Sequence, residues 1–326
     1  MRVAIDISPL AQTRAGTARY LKGLLRELRR RDDVEISTRS FGRGDRLSTL
    51  VRDGVWYPFL LGRNEVADVL HCPTYRGPVR PRVPFVVTVH DVAVLRHPEA
   101  FNRWTRSYSP RVVPRVLRAA RQVIAVSEFT RRELIELLGV PEARIHVVPN
   151  AVECEFTQDG PAEHGEYVLA VGTLEPRKNL DRLVEAARRA HTELRIVGAR
   201  GWGGVEVTGN GVRWLGEVSD AQLARLYRGA ACLAYPSLYE GFGIPVLEAM
   251  ACGAPVVTTR GTAMEEVADG AAVLVDAHDP AEIAAGIAQA VADRAQLVAK
   301  GLERARLFRW DAVAAATVGV YREAVS

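Results

Sequence analysis

Ala231-Cys-Leu-Ala-Tyr235-Pro-Ser-Leu-Tyr-Glu240-Gly-Phe-Gly-Ile-Pro-Val-Leu-Glu248-Ala-Met-Ala-Cys-Gly253-Ala-Pro255-Val-Val-Thr-Thr259 is the stretch on which the fold turns. An apolar run, a loop of glycine and proline, a short apolar helix and a second apolar run make one strand–loop–helix–strand unit. Runs apolar on both faces suit buried parallel strands. Pro245 suits the opening of the helix, where its missing N–H costs nothing, and Gly253 the residue past its end, where left-handed backbone is common. Glu248 is then expected in the first helical turn and Glu240 on the loop before it, eight positions away. Gly241 and Gly243 allow the backbone to approach a ligand. The plainer reading makes Glu248 a complement to the helix dipole and Glu240 a surface carboxylate.

Working outward, the same pattern fills the chain. Apolar strand-like runs recur at 2–7, 34–38, 66–71, 85–89, 122–126 and 145–148. A second series follows at 167–171, 194–197, 212–215, 231–235, 256–259 and 272–275. Between the series, residues 153–166 turn polar around Gly160, Pro161 and Gly165, as a linker does. The pattern predicts an α/β protein of two Rossmann-like, doubly wound domains facing a central cleft. Residues 1–158 form the first domain, residues 159–306 the second, and the amphipathic helix of 307–326, with Trp310, Val313, Val318 and Tyr321, needs a partner surface for its apolar face. Ser127 is placed to cap a helix reaching Leu138, and Asn179 or Asp181 to cap one reaching about Ala190.

Bulk properties narrow the classes. The chain has 326 residues, 48% hydrophobic and 25% charged, ordinary for a soluble globular protein of about two domains. Met1 to Asp6 reads as a first strand and not as a signal peptide. No run approaches the roughly 20 apolar residues of a membrane span. Cys72, Cys154, Cys232 and Cys252 lack Cys-x-x-Cys spacing, which suits reduced thiols in a cytoplasmic protein and no zinc site. Residues 1–160 hold 26 Lys+Arg against 18 Asp+Glu, whereas the remainder holds 17 against 21. A basic first half points to an anionic partner there. Its densest part is the predicted helix 102–121, with Arg103, Arg106, Arg111, Arg115, Arg118 and Arg121 along a broad stripe beside Trp104 and Tyr108, and with Pro110 and Pro114 arguing against a straight rod. A solvated face is the plain account; docking on anionic lipid or a phosphorylated acceptor is the functional one. No nucleic-acid-binding motif appears.

The chemistry-bearing residues lie at predicted strand ends. Arg177 and Lys178 follow the strand of 167–171, where two adjacent cations and a helix N-terminus suit a diphosphate. Glu240 and Glu248 are natural acceptors for sugar or ribose hydroxyls. His90-Asp91 closes the strand of 85–89, and Gly16 opens a helix after the first strand, an arrangement that offers N–H groups to an anion, although a plain turn also explains one glycine. With no Asp-x-Asp and no His/Glu cluster at metal spacing, the cations would meet the diphosphate without a metal ion.

Over essentially its full length the chain resembles the retaining glycosyltransferases of family four, which have the GT-B fold. The resemblance is carried by Glu240-Gly-Phe-Gly-Ile-Pro-Val-Leu-Glu248 (the family's E-x7-E signature), Gly172-Thr-Leu-Glu-Pro-Arg177-Lys178-Asn179, Thr88-Val-His90-Asp91, Ala125-Val-Ser127 and Val148-Pro-Asn150. It implies that Arg177 and Lys178 bind the donor diphosphate, Glu248 the ribose, and Glu240 with the amides of Phe242 and Gly243 the transferred sugar, with Ile244 also among the donor-binding residues. His90 would contact the sugar near the reacting carbon, Gly16 the phosphates, and Trp214 and Leu215 the nucleobase. The terminal helix would cross back to pack on the first domain. The expected activity is transfer of a hexosyl group from a nucleotide-diphosphate sugar, with GDP-mannose favoured, to a glycan, lipid-linked or small-molecule acceptor, at the inner face of a membrane or in the cytoplasm. A sugar-nucleotide epimerase of the same fold and a non-catalytic nucleotide-sugar-binding protein are the competing readings. Arg14-Ala15-Gly16 departs from the family's adjacent glycines, and Gly261-Thr-Ala-Met-Glu-Glu266 from its usual Ser-Leu-Pro-Glu.

Overall fold

The computed structural model describes residues 1–11, 16–42, 46–63, 66–101, 103–201, 207 and 209–326. The backbone divides into two units: residues 1–151 with 309–326, and residues 152–308. Residues 152–158, assigned above to the end of the first domain, group with the second unit.

In the first unit the order is β1 (Arg2–Asp6), α1 (Gly16–Leu28), β2 (Glu35–Arg39), α2 (Arg46–Val51), β3 (Val69–Cys72), β4 (Phe85–Val89), α3 (Ala93–Arg96), α4 (Arg103–Ala119), β5 (Gln122–Ala125), α5 (Glu128–Leu138) and β6 (Ile145–Val147). All strands are parallel in the order β2-β1-β3-β4-β5-β6. Val3, Ile5, Val69, Val86 and Ile124 carry the sheet's side of the core, and Leu21, Leu24 and Leu28 the α1 side. α5 is bounded as its sequence dictates: Ser127 Oγ accepts from Thr130 N at 2.9 Å, and Gly139 ends the helix at φ 59°.

The second unit runs β7 (Tyr167–Val171), α6 (Leu180–Arg189), β8 (Glu193–Val197), β9 (Val212–Gly216), α7 (Asp220–Gly229), β10 (Cys232–Tyr235), α8 (Ile244–Ala251), β11 (Val256–Thr259), α9 (Ala263–Ala268), β12 (Val273–Val275), α10 (Pro280–Ala292) and α11 (Arg294–Ala305). Its parallel order is β12-β11-β10-β7-β8-β9, so the winding reverses between β7 and β10. Such a reversal opens a crevice at the carboxyl ends of the two strands. The last helix, α12 (Trp310–Val325), belongs to the first unit, where Trp310, Val313, Val318 and Tyr321 bury their side chains beside Tyr20 and Leu24.

Two local readings are corrected. Glu248 is the fifth residue of α8, not part of its first turn, because Gly243 at φ 97° sets the start at Ile244. Helix-dipole complementarity, which fades beyond that turn, therefore does not explain this carboxylate. Asn179 stands at the N-cap of α6 but does not cap it: its backbone is left-handed, and its Nδ2 donates to the carbonyls of Pro236 at 3.1 Å and Ala277 at 2.6 Å. α4 runs from Arg103 to Ala119 with Pro110 and Pro114 inside it, each removing a bond from its ladder.

Candidate functional site

The first residues to meet are Lys178 and Glu240, one from each side of the winding reversal. Lys178 ends the short turn Pro176–Lys178 after β7, and its Nζ lies 2.5 Å from Glu240 Oε1 and 2.6 Å from Tyr235 Oη. Arg177 Nη1 reaches Glu240 Oε2 at 3.3 Å and the Tyr239 carbonyl at 3.0 Å, while Nη2 holds Glu175 Oε1 at 2.7 Å. Two cations thus face two carboxylates in a largely buried cluster. Burial alone would raise the Glu240 carboxyl, but the Lys178 and Arg177 charges and their hydrogen bonds outweigh it and hold the group at about 2. Burial likewise works against the Lys178 ammonium, yet Glu240 and Tyr235 leave it above its ordinary value. Burial first, then Glu240, pushes the Tyr235 hydroxyl up to about 12. At neutral pH Lys178 and Glu240 are therefore both charged.

The loop carrying Glu240 is pinned through its backbone. Asn179 Nδ2 donates to the Pro236 carbonyl, Thr259 Oγ1 to that of Ser237 at 2.9 Å, and Leu238 N to that of Arg177 at 2.9 Å. Gly172, at φ 151°, gives Lys178 its room: a Cβ there would stand 2.9 Å from Lys178 Cε. Gly243 Cβ would stand 2.8 Å from Met264 Cγ, so the turn into α8 needs glycine both for conformation and for space. Phe242 is buried edge-to-face against Phe308 with centroids 5.9 Å apart, and Ile244 is half-buried.

Glu248 is buried, and Tyr227 Oη donates to its Oε2 at 3.0 Å. Trp214 in β9 is 37% exposed; its Nε1 donates to the Gly198 carbonyl at 2.9 Å, and the Arg200 guanidinium lies 5.3 Å from its ring. Leu215 follows it in the strand, half-buried. Sequence reasoning left Tyr235, Glu175 and Tyr227 without a role. Tyr235 and Glu175 sit inside the quoted motifs, one at a strand end and one beside Pro176, so their positions were a signal. Tyr227, in the middle of α7, offered none.

In the first unit, His90 follows β4 and Gly16 is the first residue of α1. Arg14 and Ala15 lie outside the described residues. His90 Nε2 is 3.0 Å from the Pro73 carbonyl, which can only accept, so Nε2 carries the ring proton and Nδ1 is the acceptor. Burial lowers the His90 pKa, opposed only in part by Asp91 and the Pro73 carbonyl, and the ring is neutral at pH 7. Asp91 Oδ1 takes the Ala93 N–H at 3.0 Å and so starts α3, a structural duty. Tyr20 meets His90 edge-on with centroids 4.8 Å apart. Among the described residues no group of His, Cys, Asp or Glu could hold a metal ion, and Cys72, Cys154, Cys232 and Cys252 are free thiols.

Known proteins give this geometry its context. Residues 14–156 match the family model described as Glycosyltransferase Family 4, and residues 153–307 that of Glycosyl transferases group 1. The O-antigen chain mannosyltransferase B of Escherichia coli is 34% identical over 265 residues, which is 73% of this chain and 70% of that protein. The D-inositol 3-phosphate glycosyltransferase of Acidothermus cellulolyticus is 32% identical over 75% of this chain, which spans 63% of that relative. Among solved structures, sucrose-phosphate synthase from Thermosynechococcus elongatus superposes with a TM-score of 0.78 at 20% identity, covering 99% of this chain and 98% of that one.

Proposed function

The chain belongs to glycosyltransferase family 4, and from that premise we propose that it moves a hexosyl group from a nucleotide-diphosphate sugar to a hydroxyl acceptor with retention of anomeric configuration and without a metal ion. The observation that carries this reading is the Arg177–Lys178–Glu240 cluster at the reversal between β7 and β10. A diphosphate arriving there offers oxygens that Arg177 and Lys178 bind better than one carboxylate, because Arg pairs bidentately and Lys moves freely as a point charge. Glu240, released from both cations, accepts hydroxyls of the transferred sugar, with the amides of Phe242, Gly243 and Ile244 beside it. Glu248 takes the ribose hydroxyls, Trp214 and Leu215 flank the base, and His90 and Gly16 serve the sugar and the phosphates.

In the reaction the acceptor oxygen bonds to the anomeric carbon on the face from which the phosphate leaves. The bond from that carbon to the phosphate oxygen breaks, and the acceptor's proton passes to the departing phosphate. The protein's contribution is electrostatic: fixed cations meet the charge that grows on the leaving group. The mannosyltransferase name of the Escherichia coli relative supports a mannosyl donor, for which GDP-mannose is our candidate. On the acceptor side, α4 exposes Arg103, Arg106, Arg111, Arg115 and Arg118, and exposed Trp104 stands with Leu50, Val51, Val55, Phe59 and Leu60 at the same end of the first unit. Apolar groups beside a row of arginines suit a peripheral contact with anionic lipid. Among the described residues no helix is long and apolar enough to cross a membrane.

A panel of GDP-, UDP- and dTDP-sugars, scored by thermal shift and by slow donor hydrolysis with and without EDTA, tests the proposal. One nucleotide-sugar should raise the melting temperature and be hydrolysed equally well in EDTA. No shift with any donor overturns the activity. A strict Mg²⁺ requirement overturns the metal-free reading, and turnover to an epimeric sugar would instead support the epimerase.

A further inference from the structure

Beneath His90 the first unit holds a chain of buried polar side chains that the proposed chemistry does not use. Tyr321 Oη in α12 lies 2.7 Å from His71 Nδ1 in β3. His71 Nε2 lies 2.8 Å from Thr88 Oγ1 in β4, and Thr88 Oγ1 lies 3.0 Å from Tyr20 Oη in α1. All four side chains are completely buried. Tyr20 then presents its ring to His90, the imidazole whose other anchor is the Pro73 carbonyl. Buried polar groups cost free energy unless paired, and a chain of this kind has only a few mutually consistent proton arrangements. An apolar core would have supplied the same burial without these constraints.

Resting on the reading that His90 serves the transferred sugar, we infer that Tyr321, His71, Thr88 and Tyr20 are positioning residues that fix the orientation of the His90 ring and so keep its Nε2–H on the Pro73 carbonyl. The consequence is specific. α12, which follows the whole of the second unit in sequence, sets the geometry of a reactive-site group in the first. A second contact supports the same route: Trp310, at the start of α12, lies 6.2 Å from the Tyr20 ring. It packs so closely over Gly23 of α1 that a Cβ there would come within 2.3 Å of the indole. Removing the Tyr321 hydroxyl leaves His71 Nδ1 without that partner in a fully buried site. The rearrangement that follows passes through Thr88 to Tyr20, and so to the ring edge that steadies His90.

The test uses the full chain with Tyr321→Phe, Thr88→Val and Thr88→Ser, and with Val318→Ala as a control that trims the same buried face of α12 outside the relay. Nitrogen NMR of the imidazoles should show His90 as a single Nε2–H tautomer in the wild type, in Thr88→Ser and in Val318→Ala. Averaged shifts are expected in Tyr321→Phe and Thr88→Val. An unchanged His90 signal in those two variants overturns the inference, whatever His90 does in the reaction. With the nucleotide-sugar that gives the largest thermal shift, Tyr321→Phe should lower kcat for hydrolysis about fivefold at unchanged KM, the scale of one buried hydrogen bond. In a His90→Ala background the same substitution should have no further effect on kcat. If His90→Ala itself leaves kcat intact, the donor role of His90 fails while the NMR result still stands. If Tyr321→Phe costs as much with His90 absent as with it present, the relay acts on something other than His90 and the positioning role fails. Should Tyr321→Phe not fold, Thr88→Val against Thr88→Ser carries both measurements.

Discussion

Lys178 and Glu240 read in sequence as two ligand contacts; in the structure they are first of all partners of each other. That pairing makes their removal asymmetric. Lys178→Ala leaves Glu240 buried beside Arg177 alone and takes one cation from the proposed phosphate site. We expect kcat/KM to fall by the equivalent of about 2–4 kcal/mol, the scale for losing one charge-stabilising donor, and an unchanged value would remove Lys178 from the site. Glu240→Gln does the opposite on the donor side, since it frees Lys178 and Arg177 from a competing carboxylate. Its turnover should fall about a hundredfold, while calorimetry shows donor affinity unchanged or tighter. Weaker donor binding with normal turnover would contradict the placement of Glu240 on the reacting sugar. These residues were visible in the motifs, but their coupling was not, because five elements, α6 to β10, lie between them in sequence and only the strand order brings them to 2.5 Å.

At the scale of elements, the boundaries were legible wherever capping chemistry fixes them. Ser127 and Gly139 delimit α5, and Gly253, at φ 73°, follows α8 as expected. The start of α8 was misplaced because Pro245 tolerates the second helical position as readily as the first. Gly243 carries the correction. Its left-handed backbone and the nearness of Met264 predict that Gly243→Ala destabilises the protein by about 1–3 kcal/mol, read as a lower urea midpoint. A midpoint equal to the wild type would mean that the turn relaxes without strain. Asn179 shows the limit of local rules: a good capping residue gives its amide to two carbonyls of other loops, which ties the segments after β7, β10 and β12 together at the strands' carboxyl ends.

Across each whole unit, two bulk properties become measurable. Burial, with a smaller contribution from His90, lowers the His71 pKa to about 3. Below about pH 6.5 the unfolded chain therefore takes up a proton that the folded unit refuses. The stability from this group is full above about pH 6.5 and is lost as the pH falls toward 3, at about 1.4 kcal/mol per pH unit. Urea melts between pH 7 and pH 5 should show that slope and His71→Gln should flatten it, an equal slope in the variant counting against a buried neutral imidazole. The arginine face of α4 gives the second property. Vesicles containing about a third anionic phospholipid should sediment the protein at low salt, and charge reversal at Arg106 and Arg111 should weaken this several-fold. Sedimentation on neutral vesicles alone, or equal binding by the variant, would exclude the charge-led contact.

The sequence by itself determined the class of fold, the twelve strands of the described residues, the family and the residues of its motifs. Each of these is written in local pattern: apolar period, capping residues and short runs of fixed chemistry. Only the tertiary structure decided that β7 and β10 adjoin at a reversal of winding, which sets Lys178 against Glu240. It also decided where α12, expected from the resemblance to return to the first unit, makes its contacts, which sets Tyr321 against His71 across 250 positions of chain. Strand order and long-range contact depend on which buried surfaces fit together and which polar groups find partners once they do. That free energy belongs to the packed whole, and no window of sequence contains it.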